Sequence, residues 1–385
     1  MYTTKPWKEL LNIISGKNQK EVINESGQYP IYGSGGIIGR SDRFLCPANS
    51  VIIGRKGTID RPLYVEEPFW NIDTAFGLVP RETLMPKFLY YFCSIYNFKS
   101  LDKSTGRPSV SKTDLLKIEM PVPPILEQEK IVSRIEELFS ELDKGVETLQ
   151  IIKQQLVVYR QAVLKGAFDS ANANDNSQTA MLSIENILSK NKRSMTTGPF
   201  GTMLKKSEHK TYGIPVLGIE NIGKGKFKDG NRIFVTEEKA KELNSFILHK
   251  GDIIISRSGT VGEICEVPEH IDGALLSTNL MKVSLNQDII IPDYFIYLFQ
   301  SKGVVLDQVK ELCKGSTRLF LNQTILKRII FPIPNLNKQR EIIAKIESRL
   351  SVCDSIEQTV DTALSQTEAV RQSILKKAFE GRLSQ

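Results

Sequence analysis

The sequence predicts an α+β protein with two mixed α/β domains, each followed by a long amphipathic helix, and an internal repeat that relates its two halves. Three observations support this fold class. The chain matches itself over long stretches. Hydrophobic residues recur at steps of three and four after each Pro-x-Pro, and short β-branched runs precede each Pro-x-Pro. These periods are typical of amphipathic helices and strands, respectively.

The repeat is clearest near the end of each half. Residues 103–170 match residues 314–381 without gaps, and 21 of these 68 positions are identical. Upstream, residues 50–58 match 252–260, and 29–33 match 214–218, at smaller offsets. The growing offset predicts insertions in the second copy.

A long helix is predicted after each Pro-x-Pro, because proline can end a strand but cannot sit inside a helix. Each helix spans about 40 residues, or roughly 60 Å, which is too long to be buried by one small domain. We therefore expect the two apolar stripes to pack on each other. The first stripe contains Ile131, Ile135, Leu138, Leu142, Val146, Leu149, Ile152, Leu156, Tyr159 and Val163, and the second contains Ile342, Ile346, Leu350, Cys353, Ile356, Val360, Leu364, Val370 and Ile374.

The predicted organisation follows from these patterns. The first domain covers residues 1–120 and the second covers 181–331. The long helices cover 121–168 and 332–385. Residues 169–180 are polar and aperiodic, which predicts a linker.

Composition limits the function classes. The net charge is +7, and the excess lies in residues 1–120, with 16 basic and 12 acidic side chains, and in 181–330, with 21 and 16. Such an excess is compatible with a polyanion partner without proving one. The five cysteines form no Cys-x-x-Cys pair and there are three histidines, so we expect no metal site. No apolar run approaches the ~20 residues of a membrane span, and a cytoplasmic protein is expected.

Four features together resemble a known family: the repeat, Glu127-Gln128 and Lys338-Gln339 after each Pro-x-Pro, the Leu-Lys-x-Ala-Phe helix ends, and the Thr-Gly-Pro-Phe-Gly-Thr stretch at 197–202. The chain resembles the specificity (S) subunits of type I restriction-modification systems, the HsdS family, over nearly its whole length. The resemblance implies that the two domains are target recognition domains, each binding half of a bipartite, asymmetric DNA target. It also implies that the helices form an antiparallel spacer with pseudo-twofold symmetry.

The resemblance further implies the partners. These are double-stranded DNA, two methyltransferase (M) subunits that use S-adenosylmethionine, and ATP-dependent restriction/translocase (R) subunits that require Mg²⁺. No cofactor is expected on this chain itself. Two alternatives stay open: a coiled-coil scaffold without sequence-specific DNA readout, and an enzyme with an unrecognised site.

The sequence contains no complete catalytic motif, which favours a non-catalytic subunit. Residues 218–224 fit part of a phosphate-binding loop, but Gly225 occupies the position where Ser or Thr must ligate Mg²⁺. Pro292-Asp293 is not followed by the acidic-x-Lys of a nuclease, and no adenine-methyltransferase motif is present. We therefore predict no catalytic residue in this chain.

Candidate DNA contacts are polar or basic residues in loops, since Arg, Lys, Asn and Gln read base edges and basic groups bind phosphates. Arg55 and Arg257 occupy equivalent positions, as do Arg107 and Arg318, but a common fold would also explain equivalent residues. The predicted DNA-binding residues are Arg40, Arg43, Arg55, Lys56, Arg107, Lys112, Lys205, Lys206, Lys224, Lys226, Arg257, Arg318, Asn322 and Gln323.

Overall fold

In the computed structural model, the described residues are 2–174, 179–191, 193–200, 203–223, 225–258, 261–312 and 320–383, with the backbone alone for 170–174. The chain divides into two compact units. The first contains Met1–Ile151 and Val360–Gln385, and the second contains Ile152–Thr359. Each unit thus holds one mixed domain and a part of both long helices. The domain boundaries stated above remain predictions.

The first unit contains three sheets. A four-stranded sheet has the order β2-β8-β5-β6, a three-stranded sheet has the order β4-β3-β7, and β1 pairs with β9. All pairs are antiparallel except β3 with β7. The elements are β1 (Thr4–Pro6), α1 (Trp7–Leu10), β2 (Leu11–Ser15), β3 (Tyr29–Gly33), β4 (Gly36–Ser41), β5 (Ser50–Gly54), β6 (Leu63–Val65), β7 (Trp70–Asn71), β8 (Ala75–Pro80), α2 (Pro86–Ile95), α3 (Lys112–Leu115), β9 (Glu119–Pro121) and the start of α4 (Ile125–Asn174).

The second unit repeats this arrangement with additions. Its elements after α4 are β10 (Ala180–Ser183), α5 (Ile184–Ile187), β11 (Met195–Thr197), β12 (Ile214–Leu217), β13 (Ile222–Gly223), β14 (Lys226–Phe227), β15 (Ile233–Val235), α6 (Glu237–Glu242), β16 (Ile253–Ser256), β17 (Ile264–Glu266), β18 (Leu275–Leu276), β19 (Leu280–Val283), α7 (Pro292–Gln300), α8 (Val305–Leu312), α9 (Gln323–Arg328), β20 (Ile330–Ile333) and α10 (Leu336–Phe379).

The sheet orders confirm the duplication and the mixed fold class. The order β11-β19-β16-β17 corresponds to β2-β8-β5-β6, β15-β12-β18 corresponds to β4-β3-β7, and β10-β20 corresponds to β1-β9. The parallel pair recurs as β12 with β18. One predicted insertion lies between β12 and β15, where residues 218–232 replace Ser34 and Gly35 of the first unit.

Each unit is organised around a buried apolar cluster. In the first, Trp7 of α1, Phe76 of β8 and Phe88 of α2 are buried together with Ile131 and Ile135 of α4. The second cluster joins Phe295 of α7 and Phe331 of β20 to faces of both long helices. Since α2 and α7 are short and apolar on most sides, they form the centre of each core, and a proline at the first turn starts each of them.

The long helices run antiparallel within each unit, which confirms the predicted arrangement. In the second unit, Arg160 pairs with Asp354 (2.6 Å) and Glu357 (2.9 Å), whereas residues 164–168 share a core with 342–350. In the first unit, Arg371 pairs with Asp143, whereas Ile131 and Ile135 share a core with Leu375 and Ala378. Rising numbers on α4 therefore meet falling numbers on α10.

The helix ends differ from the predictions. Both helices begin four residues later than predicted, at Ile125 and Leu336, because the Pro-x-Pro segments pass through β9 and β20 into extended backbone. The first helix continues to Asn174, into the predicted linker, because residues 169–174 contain no proline or glycine to end it. Residues 175–178 of that linker lie outside the described residues.

The apolar stripes are buried only in part. Ile131, Ile135, Leu156, Ile342, Ile346 and Val360 are buried, and Leu138, Leu142, Leu149, Leu350 and Ile374 are half-buried. Three predicted stripe members, Tyr159, Ile356 and Val370, are exposed instead. A straight α-helix has 3.6 residues per turn, so a stripe of residues spaced three and four apart gradually winds around its surface.

One buried glutamine joins each long helix to its domain. The Gln128 side chain accepts a hydrogen bond from Met85 N (2.8 Å) and donates to the carbonyls of Thr83 (3.0 Å) and Pro123 (2.8 Å). Gln339 makes the corresponding bonds with Ile291 N, Ile289 O and Pro334 O, all at 2.8 Å. The glutamine after each Pro-x-Pro is therefore a structural residue that fixes where the helix leaves the domain.

Candidate nucleic-acid interface

A cation-lined pocket lies at one end of the four-stranded sheet of the first unit, where β2 and β5 end and β8 begins. It has a volume of about 330 Å³. Three predicted DNA-binding residues, Arg55, Lys56 and Lys112, line it together with Lys103. We call this feature the cation pocket; its other lining residues are Ser15, Phe76, Leu101, Ser109, Val110, Ser111 and Asp114.

Backbone hydrogen bonds bring the loop before α3 onto the turn that follows β5. Val110 N donates to Arg55 O (3.0 Å), and Gly57 N donates to Pro108 O (2.8 Å). The Arg107 guanidinium lies against Gly57, whose φ is +88°, and a Cβ there would lie 2.7 Å from the Arg107 Nη2 atom. The positive φ favours glycine at this turn. The contact with Gly57 places Arg107 beside the cation pocket.

Asp114 partly compensates the positive charge. It accepts a hydrogen bond from the Ser111 hydroxyl (2.9 Å) and pairs with Lys103 Nζ (3.1 Å). These two contacts, the first being the stronger, lower the pKa of Asp114. The side chains of Lys56, Arg107 and Lys112 are exposed, and none forms an ion pair with another described residue. Three cations therefore remain available for an anionic ligand.

The corresponding site of the second unit differs in chemistry. Leu321 N donates to Arg257 O (3.0 Å), just as Val110 N donates to Arg55 O. However, Arg257 is only 5% exposed, and its guanidinium donates to Leu321 O (3.2 Å) and Thr278 O (3.1 Å). It also lies 4.7 Å from the centre of the Phe320 ring. The guanidinium of Arg257 thus holds the loop that carries Leu321, and its contact with DNA stays a prediction.

Neutral side chains occupy other positions of this second site. Asn322 caps α9 by accepting from Ile325 N (2.8 Å), as Ser111 caps α3 by accepting from Asp114 N. Gln323 takes the place of Lys112 and is half-buried. Ser258 takes the place of Lys56. Arg318 and Lys224 lie outside the described residues.

The remaining predicted residues do not line the cation pocket. Arg40 donates to the carbonyls of Gly27 and Gln28, both at 2.6 Å, so its guanidinium holds a loop. Lys226 lies 3.6 Å from Asp354 of α10. Arg43, Lys205 and Lys206 are exposed. The pocket also contains a cation that was not predicted, Lys103, although its match with Lys314 in the repeat was a usable signal.

A second polar pocket, of about 460 Å³, lies at the other end of the corresponding sheet in the second unit. Its floor contains Lys282 and Asp252, both buried, with Nζ and Oδ2 3.4 Å apart. Asp252 also accepts a hydrogen bond from the Ser284 hydroxyl, and Lys282 donates to Ile247 O (2.9 Å). Since these charges compensate each other, this pocket holds no free buried cation among its described residues.

The residues that the structure describes contain neither a metal-binding cluster nor a membrane-spanning helix. No group of three or more His, Cys, Asp or Glu side chains is arranged to hold a metal ion there. In the same part of the chain, no helix combines the length and apolar character that crossing a bilayer requires.

Comparisons with known proteins point to one family. Residues 2–153 and 200–366 match the family model of the type I restriction modification DNA specificity domain. The EcoBI specificity subunit of Escherichia coli is 24% identical over 87% of this chain and 73% of its own length. The StySPI specificity subunit of Salmonella potsdam is 25% identical over 86% and 73%, respectively.

Solved structures show the same fold. A chain from a type I R-M system, solved to explain complex assembly and conformational transition, has a TM-score of 0.72 at 16% identity and covers 99% of this chain and 98% of its own. The HsdS subunit of Thermoanaerobacter tengcongensis has a TM-score of 0.58 at 17% identity, with coverage of 99% and 97%.

Proposed function

Since the chain belongs to the type I restriction modification DNA specificity family, we propose that it selects the DNA sequence on which a type I restriction-modification complex acts. The observation that carries this proposal is the duplicated site. Two units of the same topology place the same backbone hydrogen bond, Val110 N to Arg55 O and Leu321 N to Arg257 O, at the same sheet end. The side chains around that bond differ between the units.

We infer that each unit binds one half of a bipartite, asymmetric target. The first site offers Lys56, Arg107 and Lys112, whereas the described part of the second offers Gln323 and Ser258 at matching positions. Cations favour phosphates and guanine, whereas amides favour adenine. The two half-sites should therefore differ. Linking two readers in one chain raises the effective concentration of the second after the first has bound, so that two weak contacts give one specific site.

The proposed partners are two M subunits and the R subunits, all acting on double-stranded DNA. The chemistry is assigned to them: S-adenosylmethionine is bound by the M subunits, and ATP with Mg²⁺ by the R subunits. This chain contributes binding and positioning and is not itself an enzyme. The proposed compartment is the cytoplasm, where the DNA lies. No finding favours the alternative of a scaffold without DNA readout.

Methylation sequencing tests this function. DNA is compared from cells that carry cognate M subunits with this chain, without it, and with a variant in which Lys56, Arg107 and Lys112 are alanine. The expected result is a split adenine-methylated motif that depends on the chain and is weakened in the variant. A matched control replaces Lys130, Lys144 and Lys153 on α4. An unchanged methylation pattern in cells that lack the chain would refute the proposal.

A further inference from the structure

The first unit contains a glycine-rich ribbon that the site described above does not use. β3 and β4 are antiparallel and are joined by Ser34 and Gly35. Gly36 has a φ of +126°, which suits glycine alone. A Cβ at Gly35 or Gly36 would meet no atom within 4 Å, so the tip of the ribbon is surrounded by solvent.

An irregularity of β4 exposes two isoleucines near this tip. Tyr32 lies opposite Ile37 and Ile31 lies opposite Gly39, so Ile38 is an extra residue in an edge strand. Such bulges redirect side chains and are common next to binding sites. Ile37 is 61% exposed and Ile38 is 49% exposed. Neighbouring exposed isoleucines on an edge strand promote aggregation. Their exposure is therefore better explained by a role in binding an apolar group.

The segment from Ile72 to Thr74 links the tip of the ribbon to the residues of the cation pocket through backbone hydrogen bonds. Ile72 N donates to Tyr32 O (2.9 Å). Two residues further along the chain, Thr74 O accepts from Arg55 N (2.8 Å) and Lys56 N (3.2 Å). The side chains of Ile38 and Ile72 both lie over Gly33, 3.7 and 3.4 Å from where a Cβ would be. One short segment therefore connects the exposed isoleucines with the cations.

This juxtaposition matches the major groove of duplex DNA. A two-stranded ribbon fits into that groove, and thymine offers the apolar C5-methyl group there. We propose that Ile37 and Ile38 contact thymine methyl groups in the half-site bound by the first unit, while the cations of the pocket bind neighbouring phosphates. This inference rests on the proposed function. It concerns the first half-site alone, because residues 218–232 replace the tight connection in the second unit.

The test is a double-mutant cycle between protein and DNA. Affinity is measured for the full chain with its M subunits on a duplex that carries the motif found by methylation sequencing. Each thymine of either half-site is replaced in turn by deoxyuridine, which lacks the methyl group. The protein variants are Ile37→Ser and Ile38→Ser. Ile23→Ser is the matched control, since Ile23 is 53% exposed but lies beside Ser41, at the far end of β4.

We expect deoxyuridine at one position of the first half-site to weaken wild-type binding about fourfold, the equivalent of one buried methyl group. The same DNA substitution should not change the affinity of Ile37→Ser or Ile38→Ser. It should weaken the binding of Ile23→Ser as much as that of the wild type. Thymines of the second half-site should show no coupling. Equal effects of deoxyuridine on wild type and both tip variants would overturn the inference, as would a first half-site without thymine. If the wild-type chain with its M subunits showed no sequence preference, the proposed function would be overturned instead.

Discussion

Replacing Gln128 by leucine tests the glutamine that joins α4 to the first domain. The side chain is fully buried and makes three hydrogen bonds, with Met85 N, Thr83 O and Pro123 O. Leucine has a similar size but removes the partner of the half-buried Met85 N–H and of the buried Pro123 carbonyl, whereas the carbonyl of the exposed Thr83 can bind water. Each unsatisfied buried group costs about 1–3 kcal/mol, and carbonyls relax more easily than an N–H. From the Met85 N–H and the Pro123 carbonyl together, we expect the first unit to lose roughly 2–4 kcal/mol of its free energy of unfolding.

Hydrogen exchange is the assay, because it follows the two units separately. Gln128→Leu should increase exchange in residues 1–151, and Gln339→Leu should do the same within 152–359. Gln155→Leu is the control, since Gln155 is exposed on α4 and should change stability by less than about 0.5 kcal/mol. A loss below about 1 kcal/mol for both buried glutamines would refute the reasoning that these bonds are structural.

Two further predictions concern the cations. Replacing Lys56 and Lys112 together by alanine should reduce the slope of log affinity against log salt by about 1.8, since each phosphate contact contributes about 0.9. Replacing Lys144 and Lys153 on α4 should leave the slope unchanged. Equal slopes for both double variants would contradict the assignment of the cation pocket as a DNA-binding site. Arg257→Met should destabilise the second unit by about 1–3 kcal/mol because the buried carbonyl of Leu321 loses its donor. Arg55→Met should instead reduce DNA affinity with little change in the melting temperature. The reverse outcome would exchange the two roles.

The architecture could be predicted from the sequence because it depends on patterns that are repeated twice. The offset of 211 predicted the correspondence of the two helices, and proline predicted where each long helix begins to within four residues. The end of α4 was missed because polar residues without proline or glycine are compatible with both helix and linker.

The site was predicted less completely, for a different physical reason. Sequence equivalence placed Arg55 and Arg257 at the same turn, and the structure agrees. The direction of a side chain, however, depends on neighbours far away in sequence. Phe320 and the carbonyls of Thr278 and Leu321 draw Arg257 inwards. Arg55 lies at 5.7 Å from the Phe76 ring and keeps an open pocket in front of it. No local pattern distinguishes the two arginines.

The repeat separates structural residues from those that determine specificity. Several residues kept in both copies are engaged within the protein: Gln128 and Gln339 hold the helix starts, and Asp143 with Arg371 repeats the pair formed by Asp354 with Arg160. The residues that differ, such as Lys112 against Gln323, lie at the sheet end that faces solvent. Both copies of the duplicated scaffold need these shared structural residues in order to adopt the same fold. The residues that determine specificity need to differ because two identical half-sites would give a symmetric target, on which the complex would have no defined orientation.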